Sequence, residues 1–156
     1  MKVQLYCIGK TSSSAIDSLV VDYEARLKHY VKFEVSYLEL PKKTKANSEE
    51  ELKLLEGEML LSKIDNSTRL VLLDEAGKSM SSKRFASLLQ SEMNRGLKIL
   101  TFCIGGAYGF SQEVYSRADL KVSLSEMTFT HQMVRLFFTE QLYRAMTILK
   151  GEKYHH

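Results

Sequence analysis

The residues able to do chemistry gather in the last third of the chain, from Ile99 onward. Two loops there follow apolar, strand-like runs: Gly105 to Gly109 after ILTFCI, and Leu124 to Phe129 (LSEMTF) at the end of KVSL. Gly105 and Gly106 permit close backbone approaches that a side chain would prevent. The order GGAYGF is not the G-x-G-x-x-G of a dinucleotide site, it comes late in the chain, and no Walker lysine with Ser/Thr follows it. An ordinary tight turn and a backbone beside a ligand fit it equally. The second loop offers backbone donors and acceptors, with Leu124, Met127 and Phe129 able to flank a flat ring. That suits an adenosine-containing cofactor held without charged side chains, although core packing of the three apolar residues fits as well. Further on, His131 and Arg135 are four apart, as are Glu140 and Arg144. Glu140 with Arg144 reads as a helix-surface salt bridge worth a few tenths of a kcal/mol. Arg135, one turn into a helix beside the polar loop, is placed to meet a phosphate or a polarised base. His131 is a base, a hydrogen-bonding scaffold or a polar helix start. At the chain end, Tyr154 has the chemistry to stack on a base and His155 to donate a hydrogen bond to it, where fraying is the default. His156 is also what a truncated purification tag would leave. No Cys pair or His/Asp cluster has metal-ligand spacing, so no metal is expected.

These residues need a scaffold that brings both loops to one edge. The pattern supplies it as strand, helix, strand, helix, repeated. Lys2 to Ile8 predicts a strand, and Ile16, Leu19, Tyr23, Leu27 and Tyr30 predict a helix over roughly Ser14 to Tyr30. Phe33 to Leu40 alternates as a strand stopped by Pro41, and Lys42 to Asn47 (KKTKAN) is a flexible basic loop, solvated by default or a nucleic-acid contact if the fold aims it toward the ligand crevice. Ser48 and Glu51 form a candidate capping box for a helix carrying Leu52, Leu55, Met59 and Ile64. Leu70 to Leu73 is a short buried strand ending at Asp74, followed by a turn around Gly77 and a helix through Phe85, Leu88, Leu89 and Met93, closed by Gly96. After the strand Ile99 to Ile104 come a short helix (about Ser111 to Ala118), a minimal strand (Lys121 to Leu124) and a long helix (about His131 to Leu149) left at Gly151. The expectation is an α/β fold, a single layered domain with a mostly parallel sheet and a ligand crevice at the carboxyl ends of its strands.

At 156 residues and 44% hydrophobic, the chain suits one domain with a single core. A net charge of +3 is too mild for binding duplex by charge alone. Cys7 and Cys103 lie in apolar runs and read as buried free thiols. No long apolar run or cleavable leader appears, so a soluble, cytoplasmic protein is expected.

The segments KVQLYCIGK, CIGGAYGF, SLSEMTFTHQMVRLFFTEQLYRA and GEKYHH together resemble the bacterial RlmH family of SPOUT methyltransferases, over essentially the whole chain. The resemblance implies a C-terminal trefoil knot, a homodimer, and S-adenosylmethionine as cofactor. It implies methylation of N3 of a pseudouridine in a stem-loop (helix 69) of 23S rRNA on the assembled ribosome, 70S or large subunit, with no role for DNA or a membrane. Leu73, Gly105 and Leu124, Ser125, Glu126, Met127, Thr128 and Phe129 would form the cofactor pocket, with Arg135, Tyr154 and His155 near the target base. At His156 the family commonly has Arg or Lys, and a neutral His would weaken a phosphate contact made there. The same fold acting on tRNA, or serving as a non-catalytic RNA-binding assembly protein, are the alternatives.

Overall fold

The computed structural model describes residues 1–154. Five strands and five helices alternate: β1 (Lys2–Ile8), α1 (Ser14–Leu27), β2 (Lys32–Leu38), α2 (Glu49–Leu61), β3 (Arg69–Ser79), α3 (Ser82–Asn94), β4 (Ile99–Ile104), α4 (Gln112–Arg117), β5 (Leu120–Ser123) and α5 (His131–Lys150). The strands form one sheet in the order β2-β1-β4-β3-β5, and every pairing is parallel. Such a sheet needs both faces covered. Strand alternation does this directly: Val71, Leu73 and Phe102 point into the core shared with α1, α3 and α5, while Leu70, Leu72 and Cys103 point into a smaller core with α2 and α4.

The predicted boundaries of β1 and β4 agree with the fold, and Gly96 and Gly151 stop α3 and α5. Ser13, Ser48, Ser81, Ser111 and Thr130 cap the five helices, each accepting a backbone N–H from three residues on. The capping box at α2 is displaced by one residue. Ser48 Oγ accepts from Glu51 N at 3.1 Å, but the Glu51 carboxylate accepts from Asn47 N at 2.6 Å.

The largest departure is β3. It does not end at Asp74 with a turn at Gly77, but continues to Ser79, pairing with β5 alone after an irregularity between Leu73 and Lys78. Gly77 is the reason the two strands can close: a Cβ there would lie 2.6 Å from the Val122 carbonyl carbon and 2.7 Å from its nitrogen. Polar residues conceal this extension in the sequence because only one edge of it is paired. Cys7 and Cys103 are buried and free, as expected. Their registers, Cys7 with Ile104 and Cys103 with Tyr6, turn the thiols to opposite faces. Burial raises both, Cys7 to about 12, so neither is a reactive thiolate.

Candidate active site

Register puts Tyr37, Cys7, Ile104, Leu73 and Val122 in one transverse row at the carboxyl ends of the strands. The loops beyond Leu73, Ile104 and Val122 enclose a cleft of about 820 Å³. Its lining includes Leu73, Gly105, Leu124, Ser125, Met127, Thr128 and Phe129, the cofactor residues expected from the sequence. Glu126 is the exception: Met127 N donates to Ser125 Oγ at 2.9 Å, turning the chain tightly there, and the Glu126 side chain is exposed rather than lining the cleft. Ser123 Oγ donates to Ser125 O at 2.6 Å and ties the same loop to β5. Met127 is 73% exposed and Phe129 is 40% exposed, packed edge-on to Phe137 at 4.8 Å. Two large apolar groups are therefore presented to the cleft rather than spent in the core.

Asp74, Glu75 and Tyr115 were not singled out in the sequence, yet they line the same cleft. Asp74 Oδ1 accepts from Ala76 N at 2.8 Å and Oδ2 accepts from the Tyr115 hydroxyl at 2.6 Å. Burial, then the bond to Asp74, pushes the Tyr115 phenol to about 12, so it stays a donor at neutral pH. Asp74 had a usable signal, since it follows the LVLL run at a strand's carboxyl end. Tyr115 had none, lying in a short helix whose orientation depends on packing. Among the described residues, Asp74 and Glu75 are the only Asp, Glu, Lys or Arg side chains in the lining, so its fixed charge is negative. His131 also lines it, its imidazole held below its usual range by burial and then by the Arg135 charge.

Arg135 lies elsewhere. It falls on the same stripe of α5 as Phe138, Leu142 and Ala145 and is 0% exposed. Its guanidinium donates to Ile8 O at 3.0 Å, Gly9 O at 2.8 Å and Thr11 Oγ1 at 2.7 Å, and lies 5.2 Å from the Tyr37 ring centre. The expectation that it faces a base or phosphate is thus corrected: helical phase turns it inward, where it pins the loop after β1. Gln132 holds the same loop, accepting from Ser13 N at 3.1 Å and donating to Ser12 Oγ at 2.7 Å.

Tyr154 folds back along α5. Its hydroxyl donates to Glu140 Oε1 at 3.2 Å, lies 3.4 Å from Tyr23 Oη, and its ring meets Tyr143 at 4.8 Å. The Glu140 to Arg144 salt bridge is present at 2.6 Å. Glu140 is about 14 Å along the helix axis from His131 at the cleft, at 1.5 Å rise per residue. Tyr154 is not among the residues that line the cleft. His155 lies outside the described residues.

Behind the glycine turn, a Cβ on Gly106 would lie 2.5 Å from Glu56 Oε2, a buried oxygen with no hydrogen-bond partner. Burial raises the Glu56 carboxyl, so the folded state binds its proton more readily than the unfolded chain. That contribution is fully present below the unfolded carboxylate value and is lost as pH rises through the folded one. Glu56→Gln is therefore expected to raise Tm by about 1–3 °C at pH 8, the carboxyl being only half buried, with the gain vanishing in acid. Thermal melts from pH 4 to 8 test this; a gain of equal size at both ends would exclude the ionisation as its cause.

A family model described as a predicted SPOUT methyltransferase matches residues 1–155. The chain belongs to the SPOUT methyltransferases, an α/β class of enzymes, and its parallel sheet with a crevice at the strand ends is its form of that fold. Its full-length relatives carry a more particular name. The protein of Christiangramia forsetii named ribosomal RNA large subunit methyltransferase H is 58% identical over 156 residues, covering 100% of this chain and 99% of the relative. Proteins of the same name from Flavobacterium psychrophilum and Cytophaga hutchinsonii are 52% and 49% identical, covering 100% of this chain and 99% and 100% of their own lengths.

Proposed function

We propose that the protein transfers a methyl group from S-adenosylmethionine to N3 of a pseudouridine in a stem-loop of 23S rRNA, acting as a homodimer on the assembled ribosome in the cytoplasm. The relatives' name supports rRNA as the substrate class. The observation that carries the cofactor is the cleft itself, whose lining combines an acidic pair, Asp74 and Glu75, with apolar Met127 and Phe129. A sulfonium and an ammonium are drawn to the first and a purine fits the second, whereas nucleoside phosphates would be repelled.

Leu73 and Gly105 would border the methionine end, and the backbone from Leu124 to Phe129 would hold the adenosine. Bound there, the cofactor supplies a methyl electrophile, leaving alignment and proton removal to the protein. His155 is assigned to assisting loss of the N3 proton or to orienting the base. Tyr154 is assigned to stacking, and its distance from its own cleft supports a tail that serves the partner's site. The trefoil knot belongs to the same proposal, supported by α5 leaving the β5 edge to pack against α1 and α3. Among the described residues no helix is long and apolar enough to cross a membrane.

The test is transfer of labelled methyl from S-adenosylmethionine to ribosomes lacking their native modification, with the labelled nucleotide mapped. Label at N3 of a stem-loop pseudouridine is the expected result. Label confined to tRNA, or a folded dimer with no cofactor affinity, would overturn it. Equal methylation of free rRNA and ribosomes would remove the requirement for the assembled particle.

A further inference from the structure

The cleft poses a problem for an RNA substrate. Its fixed charge is negative, so the phosphates around a target nucleotide must be held by cations outside it. We propose that the loop between β2 and α2, through Lys42, Lys43 and Lys45, grips the RNA backbone while the target base enters the cleft. The inference rests on the RNA methyltransferase reading above.

Topology aims this loop at the right edge. Tyr37, one residue before the end of β2, lies in the transverse row that also contains Ile104, two strands away, or about 10 Å at normal strand spacing. The helix that follows runs past the cleft as well, since Glu56 of α2 lies against Gly106. The loop therefore continues the cleft's rim. Its shape is set by backbone and polar bonds that leave the lysines alone. Thr44 N donates to Pro41 O at 2.8 Å, placing Lys42 and Lys43 at the corners of a tight turn. Asn47 N and Nδ2 both donate to Glu51 Oε2, at 2.6 and 2.9 Å, and anchor the far end.

Local charge favours an anion as the partner. Lys42, Lys43 and Lys45 are exposed, and among the described residues none is salt-bridged. The nearby carboxylates are largely engaged: Glu39 with Lys10 at 2.8 Å, Glu50 with Lys53 at 2.9 Å, and Glu51 with Asn47. Glu49 remains, in the first turn of α2, where a carboxylate is favoured by the helix terminus. Three uncommitted ammonium groups on one rim, beside a cleft that repels phosphate, match the spaced charges of a nucleic-acid backbone.

The test replaces Lys42, Lys43 and Lys45 together by alanine in the full-length enzyme. The comparison replaces Lys32, Lys63 and Lys98, which are exposed at the opposite, amino end of the sheet. Both triples change net charge equally. Binding to unmodified ribosomes is measured by co-sedimentation between 50 and 200 mM salt, alongside methylation kinetics, cofactor affinity and Tm. For the loop triple, the slope of log affinity against log salt is expected to become shallower by about 2–3, with KM for ribosomes rising about tenfold or more at low salt. Cofactor affinity and Tm should stay put, and a triple lysine-to-arginine variant should retain wild-type KM. The amino-end triple should leave the slope and KM near wild type. If both alanine triples shift the slope and KM equally, the effect is one of net charge and the loop is not the grip. Wild-type enzyme that binds cofactor but neither binds nor methylates ribosomes would overturn the functional reading and this proposal with it. Normal wild-type methylation with an unaffected loop triple would overturn this proposal alone.

Discussion

Arg135→Ala is expected to lower the stability of the fold by about 3 kcal/mol, a fall in Tm of about 6–12 °C for a chain of this size. The guanidinium is fully buried and satisfies three acceptors, Ile8 O, Gly9 O and Thr11 Oγ1, at 2.7–3.0 Å. Removing it strands those acceptors, at about 1–3 kcal/mol for each that water cannot reach, and leaves a cavity beside Tyr37. A partial offset comes from the charge itself. Arg135 has no salt-bridged carboxylate among the described residues, and its Nε is buried without a partner, so the wild type already bears a desolvation cost. Arg135→Lys keeps the charge but loses the fork that reaches several acceptors at once, and should fall between the two. Denaturant melts measure both variants. Methylation assayed well below each transition should keep most of its kcat, because the residue touches the loop after β1 and not the cleft. Unchanged Tm with a collapsed kcat would place the guanidinium at the substrate instead.

Gly77→Ala is the second large effect, expected to cost about 3 kcal/mol and to weaken cofactor binding about tenfold or more. The added Cβ would meet Val122 C at 2.6 Å, Val122 N at 2.7 Å and Lys121 C at 2.8 Å. These are backbone atoms of β5 and cannot rotate aside, so β3 and β5 must part. Both strands lead into the cleft, through Asp74 to Ala76 and through Val122 to Ser125, and a separation there displaces its two walls. Lys78→Ala, next in the strand with an exposed side chain, should stay within about 0.5 kcal/mol of wild type. Melts and calorimetric titration with S-adenosylmethionine compare the two variants. A Gly77→Ala protein that melts and binds like Lys78→Ala would mean that β5 yields at little cost.

What the sequence conveyed well is what repeats locally. Alternation and helical spacing located all ten elements, because each apolar stripe reports one face of one element. Glycine and serine marked helix ends for the same reason, since caps are made by residues within a few positions of the terminus. The loops that line the cleft were also readable, because in a parallel sheet a loop's place follows from strand direction alone. Sequence failed where a residue's partner is distant along the chain. Tyr115 bonds to Asp74 across 41 positions, and Arg135 to the loop after β1 across more than 120.

By itself, then, the sequence determined the element order, the layered α/β class and the loops that flank the cleft. Only tertiary structure decided the strand order β2-β1-β4-β3-β5, the continuation of β3 past Asp74, the acidic wall and the inward turn of Arg135. The physical division is one of range. Propensity, capping and periodicity act within about two helical turns, whereas the sign of a cleft's charge and the burial of an arginine are set by groups that meet only after the sheet has closed.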